Sequence, residues 1–189
     1  MESQQVAMSK VLKKRKQFMM NCLCKNDSAF KKYFDKIKDD NKKAEKKLND
    51  KLMAITKKMD DQYKKETKGL KSNQEKINVS IKIALENEKK INKIIDDKIN
   101  YGLKSGEKLI KSRIYKSALK KSSKVCHSRI LKYKQEIDKN MDMVYQLLEF
   151  YKQERKSKRN PQIEKYYTKI VKIIDLLEYE HKMLKSVLE

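Results

Sequence analysis

The chain has 189 residues and a formal net charge of +23, with 40% charged and 38% hydrophobic residues. Three Gly and one Pro are too few turn residues for a compact fold of mixed strands and helices. The apolar residues are too many and too regularly spaced for plain disorder, and the composition is typical of long helices and coiled coils. We therefore predict an all-α protein.

The basic residues are mostly lysine, since only five of the 49 are Arg. Lys acts as a mobile point charge, whereas Arg grips phosphates and base edges with a planar fork. This bias favours binding to a polyanion through charge density, with little preference for base sequence. No apolar run reaches the ~20 residues of a membrane span, so we expect an intracellular protein.

The first predicted segment, residues 1–28, is a basic arm that can form a short amphipathic helix. Its range Ser3–Asn26 contains no acid, and Lys13–Lys16 has the form of a nuclear-import signal. The alternative is a helix lying on an anionic membrane, with three apolar side chains inserted among the lipids. Those three are Phe18, Met19 and Leu23. Asn26–Ser28 predicts a cap or joint.

Residues 29–100 are predicted to form one long coiled-coil helix. Apolar residues step by four and three from Phe30 to Leu48 and again from Ile77 to Ile95. A single helix over this segment would be on the order of 100 Å long. Asn41 falls within the apolar stripe, where we expect a hydrogen-bonded residue that fixes the register.

Residues 101–156 are predicted to form a return helix. Gly102 and Gly106 favour a helix end and a reversal of the chain, so an antiparallel hairpin would close there. The following tract, 108–135, carries ten Lys and Arg residues and no Asp or Glu. Since a face of uncompensated cations repels itself, the tract indicates an anionic partner.

Residues 160–189 are predicted to form a last helix with the most regular heptad repeat of the chain. Pro161 suits the first turn, and His181 occupies a core position of the repeat. The apolar face is too broad for one neighbour, which favours a bundle or an oligomer. The residues expected to form the oligomer core along the chain are Phe34, Ile37, Leu48, Leu52, Ile55, Ile91, Ile95, Ile170, Ile174, Leu177 and Leu184.

Nothing in the sequence predicts an enzyme, a cofactor or a small-molecule substrate. There is no Gly-rich phosphate loop, no Ser/His/Asp grouping and no carboxylate pair in an apolar setting. The thiol and imidazole side chains lack the spacing of a zinc site, and we interpret the thiols as buried or idle. These residues are Cys22, Cys24, Cys126, His127 and His181. Tyr115 and Tyr133 are interpreted as packing residues, although both could stack on exposed bases.

Several short strings between residues 14 and 77 resemble the coiled-coil family of the synaptonemal complex lateral-element protein and its X-linked lymphocyte-regulated relatives. The strings are Lys14-Arg15-Lys16, Lys31-Lys32-Tyr33-Phe34, Lys46-Lys47-Leu48-Asn49 and Asn73-Gln74-Glu75-Lys76-Ile77. The resemblance implies an elongated antiparallel helical tetramer whose basic ends bind DNA and organise meiotic chromosome axes. It would carry a DNA contact over only to the tetrad Lys13–Lys16.

The expected function is that of a structural nuclear protein that self-associates and binds nucleic acid or chromatin. The fold would be an antiparallel coiled coil or a helical bundle of long helices. Two alternatives remain open: a cytoplasmic scaffold on an anionic membrane surface, and an adaptor for an acidic protein. The expected nucleic-acid contacts are Lys13, Lys14, Arg15, Lys16, Lys108, Lys111, Arg113, Lys116, Lys120, Lys121, Lys124, Arg129, Lys132 and Lys134.

Overall fold

The computed structural model describes residues 2–189 of the chain, with side chains from Lys10 onward. Within that range it is helical without strands, which confirms the predicted all-α class. The first helix, α1 (Glu2–Phe18), runs on through a π-helical turn (Met19–Leu23) and a last turn (Cys24–Asn26). The others are α2 (Ser28–Glu66), α3 (Asn73–Ile110), α4 (Arg113–Ser122), α5 (His127–Ser157) and α6 (Pro161–Leu188).

The chain divides into two compact units. We call Met1–Asp35 together with Glu107–Glu189 the bundle unit, and Lys36–Gly106 the two-helix unit. In the bundle unit α5 packs along α6, α1 lies against α5, and α4 contacts α6. Apolar side chains from these four helices and from the start of α2 fill its core, among them Phe18, Leu23, Phe30, Leu119, Ile130, Ile137, Val144, Ile170, Ile174, Leu177 and Leu184.

The two-helix unit contains most of α2 and α3, which are joined by the turn at residues 67–72. Gly69 has φ of 91°, a left-handed conformation that favours glycine. Asn41 accepts a hydrogen bond from Ser105, and further along α2 Glu66 pairs with Lys82 of α3. The first contact joins the earlier part of α2 to the end of α3, and the second joins the end of α2 to the early part of α3, as expected where a chain reverses direction.

This turn corrects two predictions about the chain between residues 29 and 106. The prediction of a single helix over residues 29–100 is wrong, because the chain turns at residues 67–72. A reversal at Gly102–Gly106 is also wrong, because both glycines lie inside α3. An isolated glycine in a helix costs only about 1 kcal/mol relative to alanine, and neighbouring contacts can offset that cost.

The predicted return helix over 101–156 is also wrong, since α4 and α5 are separate helices. Ser112 begins α4 by accepting a hydrogen bond from the backbone N–H of Tyr115 at 3.1 Å. Capping of this kind satisfies a backbone donor that has no partner within the helix. The chain then turns between Ser122 and His127 before α5 begins.

Two helix starts lie where the sequence predicted them. Asp27 accepts hydrogen bonds from the backbone N–H groups of Ala29 and Phe30 at 3.0 and 3.2 Å. The side chain of Asn160 accepts from Gln162 N at 2.9 Å, directly before α6. Both signals are local, because the capping side chain and its donors lie within three residues of each other.

The predicted oligomer core divides into three groups. Five of its members, Phe34, Ile170, Ile174, Leu177 and Leu184, are buried within a single chain, so no partner is needed to cover them. Another five are half-buried in the two-helix unit: Ile37, Leu48, Leu52, Ile55 and Ile91. Ile95 is 45% exposed.

Candidate nucleic-acid interface

The acid-free tract folds partly into α4, a short helix with one buried and one cationic face. Tyr115, Ala118, Leu119 and Ser122 are buried against the bundle. Arg113, Lys116 and Lys120 are exposed, and their spacing places them together on the outer face of the helix. The apolar side of α4 therefore anchors a fixed row of cations on the bundle unit.

Six of the ten cations in the tract have side chains that form neither an ion pair nor a hydrogen bond with any described residue. The other four are engaged by groups outside the tract: Lys111 by Glu107, Lys121 by Asp27, Lys134 by Asp138, and Arg129 by the backbone oxygen of Asn21. The six are exposed, so their charge is available to an external anion. They are Lys108, Arg113, Lys116, Lys120, Lys124 and Lys132.

A second cationic feature is an open groove of about 350 Å³ between the first helix and α5. Each helix contributes four residues at positions i, i+3, i+4 and i+7, so one face of each helix forms a wall. These are Lys14, Gln17, Phe18 and Asn21 on one side and Arg129, Lys132, Tyr133 and Glu136 on the other.

The floor of the groove is apolar and its rim is polar. The rings of Phe18 and Tyr133 stack with their centroids 4.6 Å apart. Lys14 reaches across to Glu136 at 2.6 Å, and this hydrogen bond holds the pKa of the Glu136 carboxyl below its usual value. Lys132 and the remaining donors of Arg129 can meet an anion at this rim.

The prediction that Arg15 contacts nucleic acid is wrong, because its guanidinium faces the interior. It forms an ion pair with the fully buried Glu180, and its Nε donates to Tyr133 Oη at 3.1 Å. Tyr133 in turn donates to Glu180 at 2.6 Å. Burial acts to lower the pKa of Arg15, but the charge of Glu180 and these hydrogen bonds raise it overall. Arg15 is therefore a structural residue, unavailable to phosphate.

Glu180 was missed by the sequence reasoning, although a signal for it exists. It follows Leu176 and Leu177 by four and three residues, and it precedes Leu184 by four. An acid within an apolar stripe at this spacing faces the core and requires a cationic partner. Gln17 and Asn21 of the groove were also missed, and their signal is a helical spacing shared with Lys14.

The two tyrosines of the tract are packing residues, as the sequence suggested. Tyr115 is fully buried, Tyr133 is nearly so, and burial raises the pKa of both phenols well above the usual value. Neither ring is open for stacking on a nucleic-acid base.

The membrane alternative required Phe18, Met19 and Leu23 to insert among lipids. The π-helical turn directs Met19 and Leu23 into the bundle, and all three side chains are buried. In this fold they are not available to a bilayer. No helix in the described part of the chain has an apolar stretch long enough to cross one.

Of the thiol and imidazole side chains, Cys22 and Cys126 are buried, Cys24 and His181 are half-buried, and His127 is exposed. Cys22 is fully buried, and burial raises its pKa to about 12, which keeps the thiol protonated and unreactive. His181 lies 2.6 Å from Asp138 and links α6 to α5. Among the described residues, no three His, Cys, Asp or Glu side chains are grouped closely enough to hold a metal ion.

Comparison with known proteins yields no relative: no family model, no curated protein and no solved structure matches the chain.

Proposed function

We propose that this protein binds nucleic acid through its lysine-rich faces, without base-sequence preference, and associates with further copies of itself. Its mechanism is neutralisation of phosphate charge by several weak contacts held on one rigid surface. The α2–α3 pair would form an antiparallel coiled coil within the assembly. The protein would act in the nucleus. The resemblance to the synaptonemal complex family suggests that it would organise meiotic chromosome axes there.

The observation that carries this proposal is the outer face of α4. Arg113, Lys116 and Lys120 lie on one side of a helix whose other side is buried, and none of them pairs with an acid of the described chain. Because the buried side of α4 holds these three cations close together, they repel one another, and an external polyanion reduces that repulsion. Nucleic acid is favoured over a membrane because the apolar residues near the N-terminus that would insert are buried.

The test is binding of the full chain to duplex DNA over a salt series. If ~5 phosphates are neutralised, the logarithm of the binding constant should fall against the logarithm of salt concentration with a slope of about −4 to −5. Two DNA duplexes of different sequence should bind equally. Absence of binding at low salt, or a slope near zero, would contradict the proposal.

A matched pair of triple variants locates the interface. Arg113→Gln/Lys116→Gln/Lys120→Gln removes three charges from α4, and its salt slope should be shallower by about 2.7. Lys42→Gln/Lys46→Gln/Lys57→Gln removes three exposed charges from α2, where each Lys likewise lacks an ion pair among the described residues. Equal losses from both variants would mean that net charge, not the α4 face, determines binding.

Anionic vesicles provide the remaining comparison. If lipid is the partner, the chain should sediment with phosphatidylserine vesicles more strongly than it binds DNA at the same salt concentration. A fluorescent fusion should lie in the nucleus, and a fusion at the cell periphery would contradict the proposed location.

A further inference from the structure

The outward face of α3 carries an apolar stripe that no described part of the chain covers. Ile77, Ile81, Ile95 and Ile99 are between 45% and 53% exposed. At 3.6 residues per turn these four side chains fall within about 40° of one another, along about 33 Å of helix. Another face of α3, marked by the buried Ile83, packs within the unit.

The stripe is also free of lysine, in a chain with 49 basic residues. The positions between the two pairs of isoleucines on this face are Ala84, Glu88 and Asn92. Because two copies of a chain with a charge of +23 repel each other, close approach requires a surface without cations. An acidic partner would instead be drawn to the lysine-rich faces.

The order of residues along the stripe is symmetric about Glu88. Ile77 and Ile99 lie eleven residues before and after it, and Ile81 and Ile95 lie seven residues before and after it. Laid antiparallel against itself with the centre at Glu88, the stripe brings isoleucine opposite isoleucine at four places. A two-fold interface requires this kind of self-complementary surface.

We infer that a second copy of this chain docks on the stripe, antiparallel, with the two-fold axis passing at Glu88. This inference deepens the proposed self-association, on which it rests, and is independent of nucleic-acid binding. Ile77 of one copy lies against Ile99 of the other, and Ile81 lies against Ile95. The two Glu88 carboxylates meet at the axis, where like charges oppose each other and weaken the dimer.

Sedimentation equilibrium of the full chain tests the surface and its centre. Ile81→Glu/Ile95→Glu places charges on both halves of the stripe, and the dimer should be lost while circular dichroism keeps the helical signal. Glu88→Leu removes the central repulsion, and dimerisation should become roughly tenfold tighter. Glu75→Leu is the matched control, since it makes the same chemical change on another face of α3 and should leave the dimer unchanged.

Cysteine cross-linking under mild oxidation tests the orientation. Ile77→Cys/Ile99→Cys should form a covalent dimer. Ile77→Cys alone should match the wild type, because the antiparallel arrangement separates the two introduced thiols by about 33 Å. Cross-linking of the single variant would indicate a parallel pair and overturn the inference.

The outcomes separate this inference from the broader proposal. A wild-type dimer that Ile81→Glu/Ile95→Glu leaves intact would overturn the stripe but retain self-association through another face. Equal tightening by Glu88→Leu and Glu75→Leu would also overturn the stripe. If the wild type and Glu88→Leu are both monomeric at millimolar concentration, the stripe and self-association both fail, and DNA binding is judged by its own salt series.

Discussion

In the bundle unit Phe30, Tyr115 and Ile130 are completely buried, whereas among residues 36–106 the one buried side chain is Ile83. Both units consist of helices with apolar residues at heptad spacing. The bundle unit surrounds each apolar face with other helices, while α2 and α3 have only each other within their unit. Heptad spacing therefore predicts that a helix has an apolar face, and the number of neighbouring helices decides whether that face is covered.

The largest effect should come from the buried ion pair of the bundle unit. Glu180→Ala leaves the Arg15 guanidinium buried without its carboxylate, and the free energy of unfolding should fall by about 3–5 kcal/mol. Urea unfolding followed by circular dichroism measures the change. In the triple variant Arg15→Met/Tyr133→Phe/Glu180→Leu, apolar side chains replace the ion pair and the hydroxyl bonded to it, and most of the stability should return. A loss below about 1 kcal/mol for Glu180→Ala would mean that the pair is solvated.

A smaller effect tests the contrast between the two cores directly. Ile130→Val removes one methylene from a fully buried site and should lower the free energy of unfolding by about 0.5–1.5 kcal/mol. Ile55→Val makes the same change at a half-buried site of α2, and its loss should be no more than about half as large. Urea unfolding compares the two variants under the same conditions. Equal losses would contradict the difference in burial.

The smallest effect concerns pH and the rim of the groove. Lys14 lowers the pKa of Glu136 from its usual 4.5, so the pair stabilises the fold above that pH, and this contribution is lost as pH falls through the lowered pKa. Lys14→Met should cost a few tenths of a kcal/mol at neutral pH, because both side chains are partly exposed. Urea unfolding at neutral pH and at about pH 3 should show this difference shrinking in acid. A difference that persists in acid would contradict the linkage.

Helix starts were predictable because their chemistry is local. Asp27 caps N–H groups two and three residues away, and Pro161 follows the capping Asn160 directly. The chain reversal was not predictable from composition, since the two closely spaced glycines at 102 and 106 lie in a helix while Gly69 makes the turn. A helix absorbs the cost of a glycine when its neighbours supply enough contacts.

The positive charge of the candidate site was predictable from the sequence, but the residues that form the site were not. The tract at 108–135 does present exposed lysines, because apolar residues three and four positions apart determine which side of α4 faces the core. Lys13, Lys14 and Lys16 are likewise exposed, but Arg15, within the same basic string, lies in the interior. Neighbouring residues on a helix point about 100° apart, so one of them can face the core while the next faces solvent. The basic string alone does not specify which of its side chains faces the core.

By itself the sequence determined the all-α class, the helix starts at Asp27 and Asn160, and the lysine-dominated charge of the surface. These properties depend on composition and on residues a few positions apart. Only the tertiary structure decided that Arg15 meets Glu180, a residue 165 positions away, and that the stripe of α3 stays exposed. Whether a residue is buried depends on the neighbours that the whole fold brings around it, and a heptad repeat does not specify those neighbours.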